Sequence, residues 1–199
     1  MFLIFSVRAL KKVLKIMGKG NIISCGIFFA ILFIAGFAVS SCASEDEQTT
    51  LTAEIKAIDS YVKTFVDAGN NVTINGGSSR IVKKEGSGDV VEKGDSVYFN
   101  YAGYIFSSGL GTIFDTNIDS LSSVLGIDVY NRGFDSGNIV AGKGELVKGL
   151  DLGIIGAKKG EYSYIVFPSD LGYGNSANGV IPKMSPLIYE IWILDIVKN

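Results

Sequence analysis

Hydrophobic residues fall along this 199-residue chain in three regimes. The first is a continuous apolar run from Ile22 to Val39, behind a basic flank of Arg8, Lys11, Lys12, Lys15 and Lys19. The second runs from Leu51 to Val66. There Leu51, Ile55, Ile58, Val62, Phe65 and Val66 recur at three- and four-residue steps, the period of an amphipathic helix. Thr50 or Thr52 is expected to cap that helix and Gly69-Asn70-Asn71 to stop it. Its expected role is a tethering stalk with one apolar face; the alternative is a clasp on the domain that follows. In the third regime, beyond Asn75-Gly76-Gly77, the pattern shortens to strands. Arg80 to Lys84 is one. Ser96 to Phe106 alternates with Val97, Phe99, Tyr101 and Gly103 on one face, and Glu161 to Phe167 alternates as Tyr162, Tyr164 and Val166. Leu187 to Val197 is long and apolar enough for a central strand. One helical stretch, about Lys148 to Ile155, stands among them. Antiparallel strands with a single short helix predict an α+β domain.

Composition narrows the chemistry. The chain has no histidine, which excludes imidazole general bases, Ser-His-Asp triads and His-ligated metal sites. Its two cysteines, Cys25 and Cys42, both precede the domain, so the domain has neither a disulfide framework nor a thiol nucleophile.

The basic flank, the apolar run and Val39-Ser40-Ser41-Cys42 form the three-part pattern of a secretory signal. The arrangement resembles a bacterial lipoprotein signal, in which Cys42 would be lipidated and become the new N-terminus. Met17 is a plausible start for it. An uncleaved membrane helix is the alternative, since the run is close to the ~18-residue lower limit for a span. Ser44-Glu45-Asp46-Glu47 reads either as a solvated tether or as a likeness to a surface-export tag. Five of the 18 Lys and Arg precede residue 42, leaving 13 against 20 Asp and Glu. A mature chain near −7 keeps no basic patch for phosphates, and nucleic acid is not expected as a partner. The expected organisation is a signal over 1–41, an acidic tether and helix over 42–77, and one domain over 78–199. The expected location is the bacterial envelope, on the periplasmic face or the outer surface.

Two motifs suggest other chemistry and fall short. Gly137-Asn138-Ile139-Val140-Ala141-Gly142-Lys143 has the outline of a phosphate-binding loop, but Gly144 stands where the Mg²⁺-binding hydroxyl belongs. Asp115, Asp119, Asp128 and Asp135 lie in a Gly/Ser-rich stretch without a fixed period. Apart from Asp115 they read as solvated loop charges.

A series of short matches resembles the FKBP-type peptidyl-prolyl cis-trans isomerases. Gly94-Asp95-Ser96-Val97 with Asn100-Tyr101-Ala102-Gly103 is similar to their first long strand, and Phe114-Asp115 to their Phe-Asp pair. Gly142 to Asp151 is similar to the segment leading into their single helix, and Gly156 to Glu161 to the turn after it. Pro168-Ser169-Asp170-Leu171-Gly172-Tyr173-Gly174 and Ile181-Pro182 resemble the loop that closes the site. Leu187-Ile188-Tyr189-Glu190-Ile191 resembles the last strand. Each match is weak alone; together, in family order over about 120 residues, they are specific.

The resemblance implies an antiparallel half-barrel sheet wrapped on one short helix, isomerase activity on proline-containing polypeptides, and no metal or cofactor. It implies catalytic positions at Tyr101, Phe114, Asp115 and Tyr173, and substrate-binding positions at Leu146, Val147, Leu150, Ile181 and Tyr189. For Tyr101, Leu146, Leu150 and Tyr189, core packing is an equally natural reading. Asp115 is different, because an acid beside Phe114 in a strand is costly to bury unless its oxygens are used. Family members often have an aromatic where Gly137 falls and a tryptophan where Leu150 lies. Gly137 therefore leaves one wall thin, and binding of macrolide inhibitors is expected to be weak. Residues 116–136 form an insertion that either selects substrates or merely decorates the surface. A monomer is expected. The rival function is a non-catalytic peptide-binding module or chaperone on the same fold.

Overall fold

The structure is a computed structural model that describes residues 22–126 and 138–199, with side chains from residue 45 onward except residue 125. The expected signal segment, Cys42, Gly137 and most of the insertion lie outside the described side chains. Among the described residues no helix is long and apolar enough to cross a membrane. The chain divides into two compact units, Met1–Asp46 and Glu47–Asn199. Of the first, the described part is the beginning of helix α1 (Ile22–Asp67).

The second unit contains the rest of α1, then β1 (Val72–Asn75), β2 (Ser78–Lys84), β3 (Ser96–Phe106), β4 (Leu110–Thr116) and α2 (Asp119–Leu125). After these come β5 (Asn138–Val140), α3 (Lys148–Ile154), β6 (Tyr162–Phe167), a 3₁₀ turn (Ser169–Leu171) and β7 (Leu187–Val197). The strands form one antiparallel sheet in the order β1-β2-β6-β7-β3-β4, with β5 paired to β3. Strand β7 is central, as its composition predicts. Its alternation sends Leu187, Tyr189, Ile191 and Ile193 into one core cluster and Ile188 into another.

On the first face lies α3, whose Leu150 and Ile154 join that core. The helix sits very close to the sheet. A Cβ placed on Gly149 would stand 2.1 Å from the Phe167 ring, and one on Gly153 would stand 2.3 Å from Ile165. These glycines, four residues apart, share one helix face and admit the sheet there.

On the opposite face lies α1. Ile58 and Val62 are buried with Ile81, Phe106, Val166 and Ile188, and Tyr61 and Phe65 pack at their edge. The Tyr61 and Phe106 rings meet edge to face at 5.2 Å. The helix is therefore a clasp rather than the expected stalk, because its apolar stripe has a sheet face to cover. The expected cap at Thr50 or Thr52 does not form either. The helix begins well upstream, and the Thr52 hydroxyl donates to the Gln48 carbonyl within it, at 2.8 Å. The expected stop is observed. The Asn70 backbone N–H and side-chain amide both donate to the Phe65 carbonyl.

On the α3 side a buried ion pair joins β2 to the residue before β6. Arg80 Nη1 lies 2.5 Å from Glu161 Oε1, and the other Glu161 oxygen accepts the Lys158 N–H at 3.0 Å.

Candidate functional site

The nine positions implied by the resemblance come together. Tyr101, Phe114, Leu150, Ile181 and Tyr189 are buried members of the α3-side core, and Leu146, Val147 and Tyr173 pack half-buried against it. Asp115, also half-buried, joins them through the Tyr101 hydroxyl, which donates to its Oδ2 at 3.0 Å.

The pairing of β3, β4 and β7 explains the convergence. Gly103 lies opposite Asp115 on one side and Tyr189 on the other. Having no side chain, it leaves room for two rings. A Cβ there would stand 2.8 Å from both Phe114 and Tyr189, whose rings meet edge to face at 5.7 Å. Tyr189 also stacks on Phe167 at 5.9 Å and leans toward Tyr101 at 6.1 Å. Burial, reinforced by Tyr173, Asp115 and Tyr101, holds the Tyr189 hydroxyl well above the usual tyrosine range. It remains a neutral hydrogen-bonding group at any physiological pH.

Three further devices fix the frame. At the end of β4 the Thr116 hydroxyl donates to the Tyr101 carbonyl at 2.7 Å. The Asn117 side chain then accepts the Tyr101 N–H at 2.8 Å and donates to the Phe99 carbonyl at 2.9 Å. It acts on β3 as one more residue of a paired strand. At the head of the expected insertion Thr116 thus ends β4 and Asn117 is tied to β3, and the insertion then forms α2. In the loop before α3, the Asp151 carboxylate accepts the N–H groups of Gly142 and Gly144 at 2.8 and 3.1 Å. The loop that outlined a phosphate site therefore spends these amides on its own aspartate, and Leu146 and Val147 follow from it into α3. Beyond Tyr173, Asn178 and Ile181 exchange backbone hydrogen bonds at 2.9 Å, which folds Ile181 inward.

Gly103, Phe99, Phe167 and Asn117 pack against or brace these nine positions, but the implied set leaves them out. The signal for Gly103 was present, since a glycine interrupts an otherwise apolar face of β3. Asn117 had none, because its partners lie 16 and 18 residues away in the chain. Among the described residues no group of acidic, histidine or cysteine side chains is arranged to hold a metal.

An antiparallel sheet with a short helix packed against an aromatic cluster is an architecture shared with known proteins. The structure is similar to that of FkpA from Escherichia coli, at 19% identity with a TM-score of 0.54, covering 99% of this chain and 83% of that one. It is also similar to the structure of the three FKBP domains of wheat FKBP73, at 22% identity and a TM-score of 0.54. That match covers 65% of this chain, which spans about half (52%) of the wheat chain. No curated protein is similar enough in sequence to count as a match. Residues 88–194 match the sequence model of the FKBP-type peptidyl-prolyl cis-trans isomerases. The chain belongs to that family.

Proposed function

We propose that this chain is a working peptidyl-prolyl cis-trans isomerase that assists the folding of exported, proline-containing polypeptides. The observation that carries the reading is a convergence of aromatic and aliphatic side chains on the α3 side of the sheet. Aromatic rings of Tyr101, Phe114 and Tyr189 converge with Leu150, bordered by the half-buried Tyr173, Val147 and Asp115.

The X-Pro bond turns over in tens to hundreds of seconds, and peptide-bond rotation faces a barrier of ~18–20 kcal/mol. No atom is transferred, so a site without imidazole or thiol suffices. The planar amide is more polar than the twisted one, because resonance places negative charge on its oxygen. An apolar hollow therefore disfavours the planar form relative to the twisted form, which is the differential binding that catalysis needs. A thousandfold acceleration requires about 4 kcal/mol of such preference.

In this scheme Leu150, Tyr101, Phe114 and Tyr189 hold the prolyl ring. The Tyr173 hydroxyl and the Val147 N–H bind the carbonyls on either side of it, with Leu146 and Ile181 lining the approach. Asp115 accepts from Tyr101 and adds negative charge beside the rotating amide. Lipidation of Cys42 would hold the domain in the envelope. Loss of lipid labelling in a Cys42→Ser variant tests that part separately.

A protease-coupled assay on a proline peptide tests the activity. Acceleration over the uncatalysed rate is expected, with kcat/KM lowered by roughly tenfold in Tyr173→Phe and in Asp115→Ala, the worth of about one oriented hydrogen bond. Peptide binding without acceleration would identify a binding module instead.

A further inference from the structure

Helix α1 reaches the site by a route the pocket chemistry does not require. Glu54 lies on α1, one turn before Ile58, and is only 7% exposed. Its Oε2 accepts the backbone N–H of Ser169 at 2.8 Å, and its Oε1 accepts the Ser169 hydroxyl at 3.0 Å. A carboxylate in so dry a place is costly unless both oxygens are used, and Ser169 occupies both.

Ser169 in turn builds the loop that carries Tyr173. Its carbonyl accepts the N–H of Gly172 at 2.9 Å and that of Gly174 at 2.8 Å. Tyr173 is therefore held between two amides fastened to one oxygen. The Gly174 carbonyl then accepts the Met184 N–H at 2.8 Å, closing the loop on its far side. A second contact lies beyond the tyrosine, where the Asn175 side-chain amide donates to Glu47 of the same helix. The helix thus grips the loop on both sides of Tyr173.

We propose that Glu54 is a positioning residue. It fixes the Ser169–Gly174 turn so that Tyr173 stands ready to bind a peptide carbonyl, which makes the helix preceding the domain a working part of the peptide site. The role of Tyr173 in this scheme rests on the isomerase reading above; the grip on the loop does not.

The experiment uses the full chain and two readouts. The first is amide hydrogen exchange. In Glu54→Ala the Gly172 and Gly174 amides are expected to exchange at least tenfold faster, while the Ile191 amide in β7 keeps its protection. Ser169→Ala, which keeps the backbone donor and removes the hydroxyl, should give a smaller acceleration and serves if Glu54→Ala folds poorly. Glu54→Gln retains one acceptor and should fall between wild type and Glu54→Ala.

The second readout is the KM for a proline peptide. It is expected to rise about fivefold in Glu54→Ala with a smaller change in kcat. Tyr173→Phe should then cost less in that background than in wild type, as a double-mutant cycle requires if the two residues act together. Unchanged exchange at Gly174 in both Glu54→Ala and Ser169→Ala overturns the proposal, as does full additivity with Tyr173→Phe. A wild-type protein without isomerase activity sinks the catalytic reading, and the exchange result then decides the grip on its own.

Discussion

The two faces of the sheet are built from the same parts and do different things. Each has a set of tyrosines and one carboxylate that accepts from them. On the α3 side, Tyr101 donates to Asp115. On the α1 side, Tyr104 and Tyr162 donate to the two oxygens of Glu190 at 2.8 and 2.5 Å. The difference lies in what covers the apolar remainder. Over the α1 face, Ile58, Val62, Tyr61 and Phe65 lie on the sheet, and Tyr162 stacks on Trp192 at 4.9 Å. On the other face a seven-residue helix covers only part of the sheet, and half-buried Tyr173, Leu146, Val147 and Asp115 edge the rest. The rings of Tyr101, Phe114, Phe167 and Tyr189 are buried, whereas Tyr61, Tyr104, Tyr162 and Trp192 on the α1 side stay partly exposed, so aromatic content alone does not separate the faces.

That contrast can be broken from either face. The largest expected effect is on the covered side. Phe106→Ala removes a ring packed against Tyr61 and should lower stability by about 3–5 kcal/mol. It should leave kcat/KM of the folded protein within about twofold; denaturant melts and the isomerase assay measure the two effects. On the site side, Gly103→Val forces a branched side chain into the space of Phe114 and Tyr189. It should reduce kcat/KM by roughly a hundredfold, or ~2.7 kcal/mol of transition-state stabilisation. A loss of less than threefold would show that the two rings do not shape the peptide site.

The smallest effect concerns pH. Burial, then Tyr164 and Glu190, push the Tyr61 hydroxyl up to about 12 from the ordinary 10.0. Tyr104 is raised by burial and by its bond to Glu190, and so is Tyr162. These groups keep their protons in the folded protein after the unfolded chain has lost its own. Their contribution is therefore complete below the unfolded value and is lost as pH climbs from about 10 through the folded values. Tyr104→Phe should cost about 1 kcal/mol at neutral pH and make the alkaline decline shallower. A tyrosinate titration in which every tyrosine ionises near 10 would contradict the burial of these hydroxyls.

Legibility in the sequence followed pattern length. Strands β3 and β7 span eleven residues each, and their alternation places the boundaries within the sequence itself. Strands β1 and β5 have no visible signal, and β4 is visible only around Phe114 and Asp115, because each is short or lies away from the centre. Val72–Asn75 and Asn138–Val140 are too brief to show a period, and Leu110–Thr116 opens on exposed and partly exposed positions. Helix α2 is a seven-residue, serine-rich segment with a single buried position among those described, Ser122. The stripe on α1 was visible, but a stripe does not say what it covers. Ile55 and Val66 belong to the same repeat and remain 43% and 52% exposed, so only the position of Phe106, Val166 and Ile188 across the fold separates clasp from stalk. The nine implied positions were marked out only by short matches to a family, not by pattern. Glu54 matched nothing, because its meaning depends on a serine 115 residues downstream.

The central place of β7 carries a consequence for the order of assembly. A ribosome delivers this strand after the other described strands, yet it is the seam between the β6 side and the β3 side of the sheet. Until residues 187–197 arrive, two ribbons wait unjoined with greasy flanks open to whatever is nearby. A nascent chain arrested before Leu187 should be cut readily by protease, and resistance should appear only once residues 187–197 have cleared the exit tunnel. The sheet of this domain would then stay open for most of its synthesis.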